Sequence, residues 1–558
     1  MTIAIEDGNI VFSCRGAEFI SVQAKLIKAL GAKCKIVREG IIVPLRCADA
    51  VLEQFPDIKV LRGYGEEIEA HKHAVVEANN DFEELRTSRV SPEWIDILDI
   101  PQQYAVNAIV CPGLRGACLF DEQGTGKTVM AISAFDIMMG ASIVEQAVIV
   151  SPKSMLGSWE SDIRKFTAEK YSVGIVEGAS EQKRRIVGQK NAITIVNYEG
   201  IANVLVPIKT AARQSRTMLI VDESYYAKNP ATLRAKLLAE IRPLCVKCLV
   251  LCGTPAPRSP YDIIGQVNLA DNGFAFSTFT KGASEEEDRS RVADILHARA
   301  LTIRRLKQEV LPGIPEKNFE IIRVALTGRQ KYMYEKARDE LVVELRALDN
   351  TWLKKHLATY FQKRAALLEI CAAPKMVDRF FTGESAKLKR LVTLVDALAG
   401  EKRKVLIWTC YRESVSEIAE ALVRYAPLVL DGSVSDGNTR TSLVKQFQTD
   451  PDTLVMIANP AAAGAGITLH ASYDAIYYSY TNQAAHYLQS LDRIHRRGQT
   501  AKTVNYYMMI CEGTIEEYEV RRLRQRELAQ HDLLGDVIEW PESLDKELAE
   551  LTNTAETL

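Results

Sequence analysis

The sequence predicts an α/β protein built from two parallel-sheet lobes, with helical insertions and a small α+β unit ahead of them. Three observations predict it. Short continuous apolar runs alternate with helical stretches in two separate blocks of the chain, which is how strands buried on both faces read. Between the blocks the strand pattern is lost. At 558 residues the chain is also longer than one ordinary core can hold.

Residues 1–60 read as the small accessory unit. Ile3–Ile5 and Ile10–Ser13 flank Asp7-Gly8-Asn9, a hairpin signal. A helix over Glu18–Leu30, strands at Cys34–Val37 and Gly40–Val43 and a helix over Ala48–Phe55 complete it. It holds no catalytic pattern, so it reads as a binding or docking module. Residues 61–97 are charged and read as a helical linker, with His71 and His73 as surface histidines.

Residues 98–275 form the first lobe, with apolar runs at Ala117–Phe120, Ala147–Val150, Ile193–Val196, Met218–Val221 and Cys248–Leu251. The runs end in polar clusters, and ligands in parallel sheets gather at the carboxyl edge where such clusters collect. Residues 276–384 read as helical. Within them Lys281–Arg291 reads as a solvated loop. The basic groups Arg304, Arg305, Lys307 and Lys354, Lys355, Lys363, Arg364 read as exposed helix faces. A phosphate-tracking surface is the functional alternative for the second group, which interleaves with Trp352, Tyr360 and Phe361. The second lobe, 385–530, repeats the alternation with runs at Val405–Trp408, Leu428–Leu430, Leu454–Ile457, Ala475–Tyr478 and Val504–Met509. Residues 531–558 form a charged tail.

Composition narrows the function. A net charge of −2 gives no overall basic field, so any nucleic-acid contact is local. Eleven scattered cysteines, several inside apolar runs, suit buried thiols in a reducing compartment. Cys245 and Cys248 have no second pair and read as packing, not a zinc site. No apolar run reaches the ~20 residues of a membrane span and no signal peptide leads the chain, so a soluble cytoplasmic protein is expected.

The chemistry starts at residues 116–128, where an apolar run enters a glycine-rich turn and then a helical stretch over Thr128–Met139. Backbone N–H groups at a helix start face an anion, and the helix dipole adds positive potential. In Gly124-Thr125-Gly126-Lys127-Thr128 the glycines permit close backbone approach. Lys127 can reach the β/γ-phosphates of ATP and the Thr128 hydroxyl can hold Mg²⁺. The strict phosphate-loop pattern asks for glycine where this chain has Asp121. Downstream, Asp222 and Glu223 end an apolar run and supply one carboxylate for the metal and one to orient and deprotonate water. In the second lobe Arg493 and Arg496 are three apart, one face of a helix, and suit arginine fingers. A lobe with arginines and no phosphate loop implies a site shared across a cleft.

These stretches, in this order, resemble the Swi/Snf-type superfamily-two ATPases, the DNA translocases that include chromatin remodellers and annealing helicases. The resemblance spans roughly residues 98–530 and is carried by DEQGTGKT (121–128), AVIVSPKSMLGSWESDIRKF (147–166), DESYYAKN (222–229), LCGTPAPR (251–258), IRRLKQEVL (303–311), KVLIWTCY (404–411), AAGAGITL (462–469) and QSLDRIHRRGQ (489–499). It implies RecA-like lobes and an adenine-reading Gln102, with Gln103 as the register alternative. It also implies nucleotide contacts from Gly124, Thr125, Gly126, Gly466 and Gln489, and places Ser151, Lys153, Thr254, Thr409 and Thr468 near the DNA backbone or between it and the ATP site. The chain departs from the family at Tyr225, where histidine is usual, and at Ala463, Thr468 and Ser479–Asn482.

The function these residues imply is ATP-driven translocation on double-stranded or branched DNA, in replication, recombination, repair or defence in a bacterial or phage-infected cell. The N-terminal unit would serve as a DNA-structure or protein-partner module. The rivals are a strand-separating or branch-migrating helicase on DNA or RNA, and a nucleotide-gated DNA-binding recruitment subunit with little turnover.

Overall fold

The computed structural model describes the chain except residues 1, 7–8, 32–33, 38–39, 57–58, 254, 256–259, 312, 347–356, 384, 435–436, 463–466, 481–483 and 530–558. Thr254, Gly466, Trp352, Lys354, Lys355 and the 531–558 tail therefore lie outside the described residues. The chain divides into two compact units, Met1–Val310 and Leu311–Leu558.

The first unit opens with an antiparallel sheet of order β1-β2-β4-β3, formed by β1 (Thr2–Glu6), β2 (Asn9–Ser13), β3 (Lys35–Val37) and β4 (Gly40–Pro44). The helix Gly16–Leu30 buries Val22 and Leu26 against Ile10, Phe12, Ile41 and Val43. The stretch expected as a linker is a helix, Lys59–Glu83, that enters two cores. Its Ile68 packs with the N-terminal unit, while Ala74, Val75 and Ala78 pack with the first lobe. His71 on this helix is not a surface histidine. It is 1% exposed, its Nδ1 accepts the Arg115 N–H at 3.1 Å, and burial holds its pKa down at about 3.

The lobe itself is a seven-stranded parallel sheet of order β11-β5-β10-β9-β6-β8-β7. Its strands are β5 (Gly116–Leu119), β6 (Gln146–Ser151), β7 (Val173–Ile175), β8 (Ile193–Asn197), β9 (Thr217–Val221), β10 (Lys247–Leu251) and β11 (Thr302–Ile303). Register sets the site: Leu119 lies beside Leu251, and Val221 beside both Val250 and Val150. The turn after β5, the carboxylates after β9 and Ser151 at the end of β6 thus share one edge. Every residue of β5, β9 and β10 is buried, which is why these strands read as unbroken apolar runs.

The second unit carries a six-stranded parallel sheet of order β12-β17-β16-β13-β15-β14. It comprises β12 (Glu316–Val324), β13 (Val405–Trp408), β14 (Leu428–Leu430), β15 (Val455–Ala458), β16 (Asp474–Tyr477) and β17 (Thr503–Cys511). Separate apolar clusters cover its two faces, one around Trp408, Tyr477 and Tyr506 and one around Ile407, Ile476 and Met509.

The stretch 276–384, expected to be helical, differs in three ways. It contains β11 and β12, which join different sheets. The Lys281–Arg291 stretch is largely helical, because Ser284 caps a helix over Glu285–Arg299 and accepts the Glu287 N–H at 3.2 Å. The basic residues are mostly not free faces: Arg364 pairs with Glu519 at 2.9 Å, and Lys307 is 2% exposed. Cys245, Cys248 and Cys252 are buried free thiols around β10. Among the described residues no helix is long and apolar enough to cross a membrane.

Candidate functional site

The turn after β5 delivers the chain to a helix over Lys127–Gly140, whose N-cap is Gly126 at φ 89°. That angle belongs to glycine, and space forbids a side chain as well: an added Cβ would lie 2.3 Å from the Gln102 amide nitrogen. Gln102 is 4% exposed and its Nε2 donates to the Thr125 carbonyl at 2.9 Å. Gln103 turns away, its Nε2 donating to the Ile95 and Leu98 carbonyls. Gln102 is therefore the glutamine that touches the loop. Thr125 closes the turn by donating its hydroxyl to the Glu122 carbonyl at 2.9 Å, and Gly124 also has positive φ. Lys127 points back into the turn, donating to the Asp121 and Glu122 carbonyls at 2.7 and 2.8 Å. Burial draws its pKa down, against the charges of Glu223 and Asp121. Thr128 is the second residue of the helix.

Gly126→Ala is expected to cost about 1–3 kcal/mol of stability, since it forces both a strained φ and a displaced Gln102. Nucleotide affinity should fall with it. Thermal unfolding and titration with a fluorescent ADP check both, and a wild-type melting profile would contradict the crowding argument.

Two strands away, the β9 end presents Asp222 and Glu223, both nearly buried. Asp222 Oδ2 accepts from Ser151 Oγ at 3.1 Å and Trp159 Nε1 at 2.9 Å, and its Oδ1 accepts the Glu223 N–H at 2.9 Å. Burial raises the pKa of Asp222, while those donors pull the other way. Glu223 is held in a left-handed backbone conformation, φ 49°, sparsely populated for residues other than glycine. Gln123 Nε2 donates to Glu223 Oε1 at 2.9 Å, linking the phosphate loop to the carboxylate pair. Tyr198 locks the turn from below, its hydroxyl donating to the Asp222 carbonyl at 2.7 Å. Tyr225 stacks on Tyr226, ring centroids 4.5 Å apart.

Lys127, a helix N-terminus, a hydroxyl at Thr128 and two carboxylates at one edge form a donor set that matches a nucleotide phosphate chain with a hard divalent cation. Sequence reasoning did not assign roles to Gln123, Trp159 or Tyr198. Trp159 lies inside a quoted motif and Tyr198 in a polar cluster at a strand end, so position was the available signal.

Two of the residues expected near the DNA backbone or between it and the ATP site lie away from the surface. Ser151 and Thr409 are fully buried; Ser151 is bonded to Asp222, and Thr409 Oγ1 lies 2.9 Å from Ser479 Oγ. Neither hydroxyl is available to a phosphate in this conformation. Lys153, in a short turn after β6, is exposed. In the second unit the helix Ala484–Leu491 ends before the arginines, so Arg493 and Arg496 stand in a turn and not on one helix face. They still converge: both donate to the Ile467 carbonyl, at 3.0 and 3.2 Å, and Arg496 also donates to Thr468 Oγ1 at 2.9 Å. Gln489 is buried on the preceding helix.

Known proteins match the chain along most of this length. The SNF2-related domain matches residues 74–376, and the helicase conserved C-terminal domain matches 386–498. An uncharacterized ATP-dependent helicase of Mycoplasma genitalium is 26% identical over 470 residues, covering 82% of this chain and 43% of the relative. A human DNA annealing helicase and endonuclease is 27% identical over 430 residues, covering 72% of this chain and 41% of the relative. The chain thus spans less than half the length of these two relatives. The SWI2/SNF2 ATPase core of Sulfolobus solfataricus, solved in complex with double-stranded DNA, is 21% identical. That alignment covers 81% of this chain and 96% of that one, with a TM-score of 0.34. With the SNF2-related model alone matching more than half its residues, the chain belongs to the SNF2-related family and carries a helicase C-terminal domain.

Proposed function

We propose that this protein is an ATP-driven translocase on double-stranded DNA. The observation that carries the reading is the fixed placement of Glu223, held in a left-handed backbone conformation by the Tyr198 clamp beneath it and by Gln123 from the phosphate loop. A surface acidic pair has no need of such support; a general base does. In this reading Lys127 and the helix start bind the phosphates, and Thr128 and Asp222 hold Mg²⁺. A cation held there would neutralise developing phosphate charge. Glu223 orients and deprotonates the attacking water, and Arg493 and Arg496 stabilise transition-state charge. Ser151 connects the nucleic-acid side of the lobe to Asp222, since its hydroxyl binds that carboxylate and Lys153 two residues on is exposed. Grip on the phosphate backbone makes binding salt-sensitive and largely independent of sequence.

The test is ATP turnover with no nucleic acid, single-stranded DNA, duplex DNA, forked DNA and RNA, with Glu223→Gln as the blank. Duplex DNA is expected to stimulate most, and a triplex-displacement assay should then show movement. Stimulation by single strands or RNA alone transfers the reading to a strand-separating helicase. No turnover above the blank, with DNA binding intact, sinks the motor.

A further inference from the structure

Asp121 breaks the strict phosphate-loop pattern, and the nucleotide chemistry gives its side chain no role. It is fully buried, and the Arg305 guanidinium grips it with two nitrogens, Nε at 3.1 Å from Oδ1 and Nη2 on Oδ2. Arg305 also donates to the Pro101 carbonyl, next to Gln102. The contacts continue on both sides. Arg304 donates to the carbonyls of Phe120 and Gly253; Glu122 N–H donates to the Arg305 carbonyl at 3.1 Å; and the Lys307 N–H donates to Glu122 Oε2 at 2.6 Å. Residues 304–307 follow β11 and lie three residues short of Val310, where the first unit ends. The stretch by which the chain leaves the first unit is therefore bonded to three consecutive residues of the phosphate loop.

Those residues also hold the lysine. Lys127 Nζ rests on the carbonyls of Asp121 and Glu122, the pair pinned by Arg305 and Lys307. A lysine that turns to a phosphate gives up one or both carbonyls, and the peptide groups it leaves are bonded to the exit segment. We propose that Arg305, acting through Asp121, is a positioning residue that sets the phosphate loop and reports its nucleotide state to residues 304–310. The inference rests on the nucleotide-site reading above. The Asp121–Arg305 pair is its core, because a bidentate buried guanidinium–carboxylate contact fixes orientation as well as distance.

The experiment is hydrogen exchange on the full chain, with and without Mg·ADP, read over 118–126 and 304–310. In the wild-type chain ADP should slow exchange in both segments. In Asp121→Asn and Arg305→Gln the loop should still respond while 304–310 does not, with ADP affinity about tenfold weaker and the double variant no worse than either single one. Arg305→Lys keeps the charge but not the fork, and guards against a variant that fails to fold; it should retain part of the 304–310 response. A wild-type chain that binds ADP with no change at 304–310, or single-variant losses that add in the double variant, overturns the inference alone. A wild-type chain that binds no Mg·ADP overturns the nucleotide-site reading and this inference with it.

Discussion

Glu223→Gln is expected to lower ATP turnover by about 10²–10⁴-fold while leaving nucleotide affinity within about threefold of wild type. Glutamine has the shape of glutamate, and its amide oxygen can accept the Gln123 donor that Glu223 Oε1 accepts at 2.9 Å. The left-handed backbone at residue 223 keeps both supports, the Tyr198 clamp and the Gln123 bond. Only the capacity to take a proton is lost. Lys127→Ala should behave differently, removing a phosphate ligand and weakening binding itself. Steady-state turnover beside a fluorescent-ADP titration separates the two effects. A Glu223→Gln chain that hydrolyses ATP at the wild-type rate would remove Glu223 from the chemistry, and the search for the base would move to another group.

Strands buried on both faces were legible from sequence, as were the β1–β2 hairpin and the short edge strand β14. Val405–Trp408 was read to the residue, and β5, β9 and β10 to within one, because a doubly covered strand has no polar alternation to blur its ends. β12 was missed for the opposite reason. It is an edge strand whose exposure alternates through Glu316–Val324, and it falls in the stretch 276–384 that reads as helical. β7 is only three residues long with glycine at its centre, too short to register. In the site, Lys127, Asp222 and Glu223 were legible because local sequence places Lys127 at a helix start behind a glycine-rich turn and the two carboxylates at a strand end. Their supports were not. Trp159, Tyr198 and Arg305 reach Asp222 or Asp121 across 63, 24 and 184 residues of chain. Pairings that long depend on strand order and register, which the apolar pattern of a single segment does not encode. His71 and Arg364 failed similarly: a charged sequence context masked positions that face a core.

The second large effect concerns stability, and it follows from a buried ion pair no motif announced. Lys387, at the start of the helix Ala386–Gly400, is fully buried, and its Nζ donates to both carboxylate oxygens of Glu516 at 2.5 Å and to the Tyr478 carbonyl at 3.1 Å. Glu516 is 1% exposed and its Oε2 also accepts the Cys511 N–H at 2.8 Å, at the end of β17. The charge of Glu516 holds the lysine pKa above its ordinary value although burial, the largest influence, opposes it. Glu516→Ala leaves that ammonium in the core without its counter-charge and should cost about 3–5 kcal/mol. Lys387→Met together with Glu516→Leu should cost far less, because the double change removes both desolvated charges and fills the space. Exchange of the β17 amides reads this unit by itself, which matters in a chain with two units that need not unfold together. If Glu516→Ala and the double variant open β17 equally, the penalty comes from lost packing and not from a stranded charge. If the single variant alone opens it, the penalty is that of a stranded charge, and the junction between β17 and the following helix holds with both charges or with neither.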